Sequence, residues 1–137
     1  MEIFKNKYYS LSFYQSYSRL VYLAFPQTEE MSEEELKEGF IKTSEIMEEL
    51  KPNFFLSDSR QQFSVITPEM QIWIAENIYP RWHHAGLQKL AIVIPTELIA
   101  NLSIQQTVDE VEVAKKSGGY EIRYFDSDEV AKNWLTL

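Results

Sequence analysis

The chain has 137 residues, a formal net charge of −8, 45% hydrophobic and 14% aromatic residues, and no cysteine. That is enough apolar material for one domain over residues 1–137 with a real core, and it excludes disulfides, thiolate chemistry and cysteine-ligated metal clusters. No apolar run approaches the roughly 20 residues of a membrane helix, no signal-peptide core opens the chain, and no Lys/Arg cluster offers a surface for phosphate backbones; a cytoplasmic protein that neither inserts in membranes nor binds nucleic acid is expected.

The first 25 residues are rich in β-formers, among them Phe4, Tyr8, Tyr9, Phe13, Tyr14, Tyr17, Tyr22 and Phe25. They predict two or three antiparallel strands near 3–9, 11–16 and 19–25, with Pro26 ending the last. Alternation along strands cannot bury every tyrosine, and tyrosine suits interfaces because it buries area while keeping a polar tip. Tyr8, Tyr14 and Tyr22 are therefore candidate interface residues, against ordinary cross-strand packing, and a homodimer through this region is expected.

Residues 28–50 hold nine acidic residues and two lysines, so nearly all of the net charge belongs to one segment. Ser32 and Glu35 have the spacing of a capping box with Met31 and Leu36 as its staple, and Glu33 to Glu35 suit the positive end of a helix. Leu36, Phe40, Thr43, Met47 and Leu50 form the inward stripe, the glutamates face water, and Pro52 stops the helix. This acidic face reads as solvated surface, with a cationic protein partner as the minority alternative.

Phe54-Phe55-Leu56 predicts a short buried strand running into Ser57-Asp58-Ser59-Arg60. Thr67 caps the next helix, with Pro68 at its first position; Met70, Trp73, Ile74 and Ile78 point inward, and Pro80 ends or kinks it. Trp82, His83 and His84 are expected in a following loop, with Trp82 on the edge of the core. Neighbouring histidines do not share a face, so they predict no metal site. The run Leu90 to Ile94 predicts a central strand covered on both faces. A helix is expected after Ser103, with Gly118-Gly119 terminating it.

The C-terminal stretch alternates as Tyr120, Ile122, Tyr124 against Glu121, Arg123, Phe125, the period of a strand. Asp126 and Glu129 then have capping-box spacing, with Phe125 and Val130 as a staple and Val130, Ala131, Trp134 and Leu135 on one helical face. The whole order predicts an α/β fold: one mixed sheet, antiparallel at the N-terminus and parallel later, with about four helices.

Several stretches in this order, Lys51-Pro52 into Phe54–Leu56 with Asp58 and Arg60, Thr67-Pro68-Glu69 with Trp73, Ala91-Ile92-Val93, and Arg123-Tyr124-Phe125 through Ala131, Trp134 and Leu135, resemble the SpoIIAA-like branch of the STAS/SEC14-like group of small bacterial domains. The resemblance implies a non-enzymatic binding or regulatory module acting through protein contacts; its SEC14-like side implies, as the alternative, a pocket for a small apolar or amphipathic ligand. Relatives that act by partner switching carry a phosphorylatable residue within an Asp-Ser-Ser-Gly-Leu-Gly-like pattern. The matching place here is Val65 to Met70, where the serines and glycines are missing and Thr67 already has a capping role, so phosphorylation of Thr67 is the lesser expectation.

Asp58, Ser59 and Arg60 follow a strand end, where open α/β sheets place ligands, and Trp82 and His83 are candidates to join them around a small polar or anionic molecule. The structural alternative is that Asp58 caps the loop and Arg60 pairs with a helix carboxylate. No nucleophile elbow, phosphate loop or catalytic triad is legible. No catalytic residue, metal or cofactor is assigned.

Overall fold

The computed structural model describes residues 1–98 and 119–137. Their strands are β1 (Glu2–Lys5), β2 (Tyr9–Tyr14), β3 (Arg19–Ala24), β4 (Phe54–Asp58), β5 (Lys89–Val93) and β6 (Glu121–Phe125), and their helices are α1 (Glu33–Leu50), α2 (Pro68–Asn77), α3 (Tyr79–His84) and α4 (Asp128–Leu135). All six strands form one sheet whose spatial order is the sequence order, antiparallel from β1 to β3 and parallel from β3 to β6. The expected mixed α/β sheet is what the chain forms. No described helix is long and apolar enough to cross a membrane.

The strand order explains the layering. When each parallel strand is added on the same side, right-handed crossovers lay successive helices on one face. Accordingly α1, α2 and α3, with Ile78 at the junction of the last two, supply Leu36, Met47, Met70, Ile74, Ile78 and Trp82 to the face that carries Tyr9, Leu11, Leu20, Phe55, Leu90 and Ile122. Helix α4 follows the last strand and folds onto the opposite face, where Ala131, Trp134 and Leu135 meet Leu56, Ala91 and Val93. The central strands β4 and β5 are thus covered on both sides.

Helix starts follow from local chemistry. The hydroxyl of Ser32 accepts from the Glu35 N–H while the Glu35 carboxylate accepts from the Ser32 N–H, a complete capping box. Thr67 accepts from the Met70 N–H at 3.2 Å, and Pro68 opens α2 without a lost donor. Helix α1 ends on Lys51 in the left-handed region at φ 49°.

Three local expectations shift. The first strand stops at Lys5, because the Asn6 side chain accepts from the N–H groups of Tyr8 and Tyr9 and turns the chain into β2. The C-terminal cap is Ser127, not Asp126: its hydroxyl accepts from the Val130 N–H at 3.4 Å. That one-residue displacement turns Val130 to solvent at 54% exposure, so it forms no staple. Finally, residues 79–84 are helical, with Pro80 in the first turn, and Trp82 lies in the middle of the core at 3% exposure instead of at its edge. The helix expected after Ser103 lies outside the described residues.

Candidate functional site

A cavity of about 100 Å³ lies between the sheet and α1, near the C-terminal end of β4. Its walls are aromatic and aliphatic: Tyr9 and Tyr22 from the antiparallel strands, Phe55 from β4, Phe40 and Leu36 from α1, and Trp82 from α3. The rings brace one another, Tyr9 against Tyr22 at 5.2 Å and Phe55 edge-on to Trp82 at 5.2 Å between centroids. Strand register builds this wall. Tyr22 stands beside Ser57 and Leu20 beside Phe55, so alternate residues of β3 and β4 present one face to α1.

Polar atoms gather at one end. Ser57 and Ser59 share a hydrogen bond between hydroxyls at 3.1 Å, and the Tyr22 hydroxyl donates to the side-chain carbonyl of Gln62, whose amide in turn donates to Ser64. Burial pushes the Tyr22 phenol well above its usual pKa, so it stays a neutral donor. The segment that carries Ser59, Gln62 and Ile66 over the cavity is fastened by Thr28, which is fully buried. Its Oγ1 lies 2.8 Å from the Phe25 carbonyl and 2.9 Å from the Gln61 carbonyl, sharing one proton between them, and accepts from the Phe63 N–H at 2.8 Å.

A second, more open cleft of about 450 Å³ lies outside the first, between the β1–β2 hairpin and α1. It is lined by Phe4, Tyr8, Glu35, Glu38, Lys42 and Glu45 among others, and it shares Tyr9 and Gly39 with the inner cavity. A Cβ on Gly39 would meet the Tyr9 ring at 3.4 Å. The Tyr8 hydroxyl donates to the Glu35 carboxylate at 2.6 Å, which holds that carboxyl below its usual pKa together with the cap bonds from Ser32.

The structure divides the residues singled out from the sequence. Ser59 and Trp82 line the inner cavity. Asp58 and Arg60 do not: they form a two-pronged pair, Arg60 Nε to Asp58 Oδ1 at 3.0 Å and Nη2 to Oδ2 at 2.7 Å. Asp58 lies on the sheet face away from α1, in register with Leu23 and Val93. His83 is exposed on α3 and stacks on His84 at 5.7 Å. Arg60 and a histidine therefore do not converge on one pocket, and no group of three or more His, Asp or Glu side chains among the described residues is placed to hold a metal ion. Thr67 is the α2 cap.

Of the three candidate interface tyrosines, Tyr22 faces the cavity and Tyr8 is half-buried against α1, whereas Tyr14 is 45% exposed on the other sheet face. Sequence reasoning missed Tyr9, Thr28 and Gln62. Tyr9 stood only among the tyrosines of the first strands, and nothing local to Thr28 or Gln62 announces their bonds to Gln61, 33 residues on, and to Tyr22, 40 residues back. Compared with known families, curated proteins and solved structures, the chain shows no match.

Proposed function

We propose that this protein is a non-enzymatic binding module that holds a small, largely apolar molecule of about one ring in the cavity between the sheet and α1. The supporting observation is the wall of Tyr9, Tyr22, Phe40, Phe55 and Trp82 around about 100 Å³, with the paired hydroxyls of Ser57 and Ser59 in its lining. Flat aromatic walls favour a flat guest. Engineered apolar cavities of roughly 150 Å³ take up benzene, whereas drug-sized ligands occupy roughly 300–1,000 Å³, so a single ring suits this space better than a lipid chain. Ser57 and Ser59 share one hydrogen bond and keep further donor and acceptor capacity, which suits a ring bearing one polar group. The absence of cysteine suits a reducing cytoplasm, and the STAS/SEC14-like resemblance agrees with a role without catalysis.

The test uses native mass spectrometry of freshly purified protein together with titration by phenol and indole. A retained extra mass, or saturable NMR shifts confined to Tyr22, Phe55 and Trp82, is the expected result. No saturable shift at those residues with either probe would remove the reading. The same spectra address the second reading, a homodimer acting through protein contacts, for which the exposed Tyr14, Tyr17 and Leu23 speak; a ligand-free dimer that dissociates on Tyr14→Ser substitution would favour it.

A further inference from the structure

The chain has four arginines, and three are accounted for by their surroundings. Arg60 forks onto Asp58, Arg81 forks onto Glu48 with both hydrogen bonds at 2.8 Å, and Arg123 is solvent-exposed over the Trp134 ring at 5.2 Å. Arg19 differs from all of them. It is only 7% exposed, and its Nε is shielded from solvent without a hydrogen-bond acceptor. Among the described residues no carboxylate pairs with it.

A buried guanidinium without a counter-charge is unfavourable, and a buried N–H without an acceptor adds to that cost. Two aromatic neighbours offset part of this. The guanidinium carbon lies 4.9 Å from the centre of the Tyr17 ring, and Tyr14 is the direct cross-strand partner of Arg19 on β2. A ring face satisfies the charge from one side but accepts no hydrogen bond in the plane of the fork. Burial pushes the guanidinium down from its usual pKa, with Tyr17 and Tyr14 opposing this. The unpaired Nε–H of Arg19 is what an anion oxygen would complete, and the guanidinium fork matches a carboxylate or a phosphate.

We propose that Arg19, with Tyr14 and Tyr17 beside it, forms a binding site for an oxyanion, a carboxylate or phosphoryl group, on the sheet face opposite α1. This site is independent of the apolar cavity, since Arg19, Val21 and Leu23 lie on the other side of β3 from Leu20 and Tyr22. The guanidinium supplies the N–H donors, its unpaired Nε–H among them, while the Tyr17 ring lies against its face.

The experiment follows the four arginine Nε–Hε resonances of the whole chain by NMR while sodium phosphate, and separately sodium acetate, is added at constant ionic strength. The expected result is a saturable shift of the Arg19 signal that Arg60, Arg81 and Arg123 do not share. Phosphate alone producing it assigns a phosphoryl ligand, acetate alone a carboxylate, and both a general oxyanion site. An Arg19 signal that does not move, or that moves in parallel with the other three, overturns the proposal. Thermal melts provide a second readout: the wild-type Tm rises with the effective anion, R19M shows no such rise, and R19K retains a reduced one. An undiminished rise in R19M places the anion elsewhere and also overturns it.

Discussion

The indole N–H of Trp82 donates to the hydroxyl of Ser44 at 2.9 Å, and that hydroxyl donates in turn to the carbonyl of Phe40 at 2.8 Å. Ser44 is fully buried on α1 and Trp82 is 3% exposed on α3. This relay joins the two helices at the back of the aromatic cavity and orients the ring that forms its floor. Serine in the middle of a helix is ordinarily neutral or unfavourable; here it lets a tryptophan enter the core with its one polar atom satisfied.

Ser44→Ala is accordingly expected to cost about 1–3 kcal/mol, the penalty for a buried donor left unpaired. Trp82→Phe removes that donor along with part of the ring and leaves a void. In a Trp82→Phe background, Ser44→Ala should therefore cost much less. Urea unfolding of the four proteins gives the coupling; equal costs in both backgrounds would show that the hydrogen bond does not set the stability.

Thr28→Val keeps the shape of the side chain while deleting the oxygen that meets Phe25, Gln61 and Phe63. A loss of about 1–3 kcal/mol is expected from the stranded backbone groups. The more specific outcome is local: limited proteolysis should cut between residues 59 and 67 faster in the variant, because this segment loses its fastening to the β3–α1 connection. Cleavage at unchanged rate would mean that the segment is held by its apolar contacts.

Gly39 lies inside α1 with no positive φ, and a methyl group there would meet Tyr9 at ordinary contact distance. Gly39→Ala is expected to raise stability by about 0.5–1 kcal/mol, the usual helix-interior difference. Because Gly39 lines both the inner cavity and the outer cleft, the same change should weaken phenol or indole uptake while raising Tm. Stability and binding rising together would argue against the cavity as the binding site.

The Glu35 carboxyl accepts from Tyr8 and from the Ser32 cap, and these bonds hold its folded pKa below the ordinary glutamate value. A depressed folded pKa contributes stability that is present above the unfolded value and is lost as pH falls through the folded value. Stability should therefore decline below about pH 4.5 in part through this group, and Glu35→Gln should flatten that part of the Tm–pH curve. Exposure at this site keeps the effect small. A slope unchanged by the substitution would transfer the acid sensitivity to other carboxylates, with Glu48, lowered by its Arg81 pair, the next to examine.

What the sequence determined was the part of the structure governed by groups a few residues apart. The Ser32 box, the Thr67 cap, the stops at Pro26 and Pro52 and the alternation of β-formers and helical stripes are interactions within one or two turns, and they produce the mixed sheet read from them. Even there, Asp126 and Ser127 were nearly equivalent caps, and docking Ala131, Trp134 and Leu135 onto Leu56, Ala91 and Val93 chose between them. Tertiary structure alone decided the candidate sites. Tyr9, Tyr22, Phe55 and Trp82 come from four separate elements, and only the register of β2 to β4 and the crossing of α1 bring their rings around one space. Whether Tyr14 or Tyr22 faces water, and whether Arg19 finds a carboxylate, depends on which side of a strand each occupies and on what is laid over it. Burial and charge pairing are properties of neighbours in space, and a side chain's spacing along the chain does not specify them.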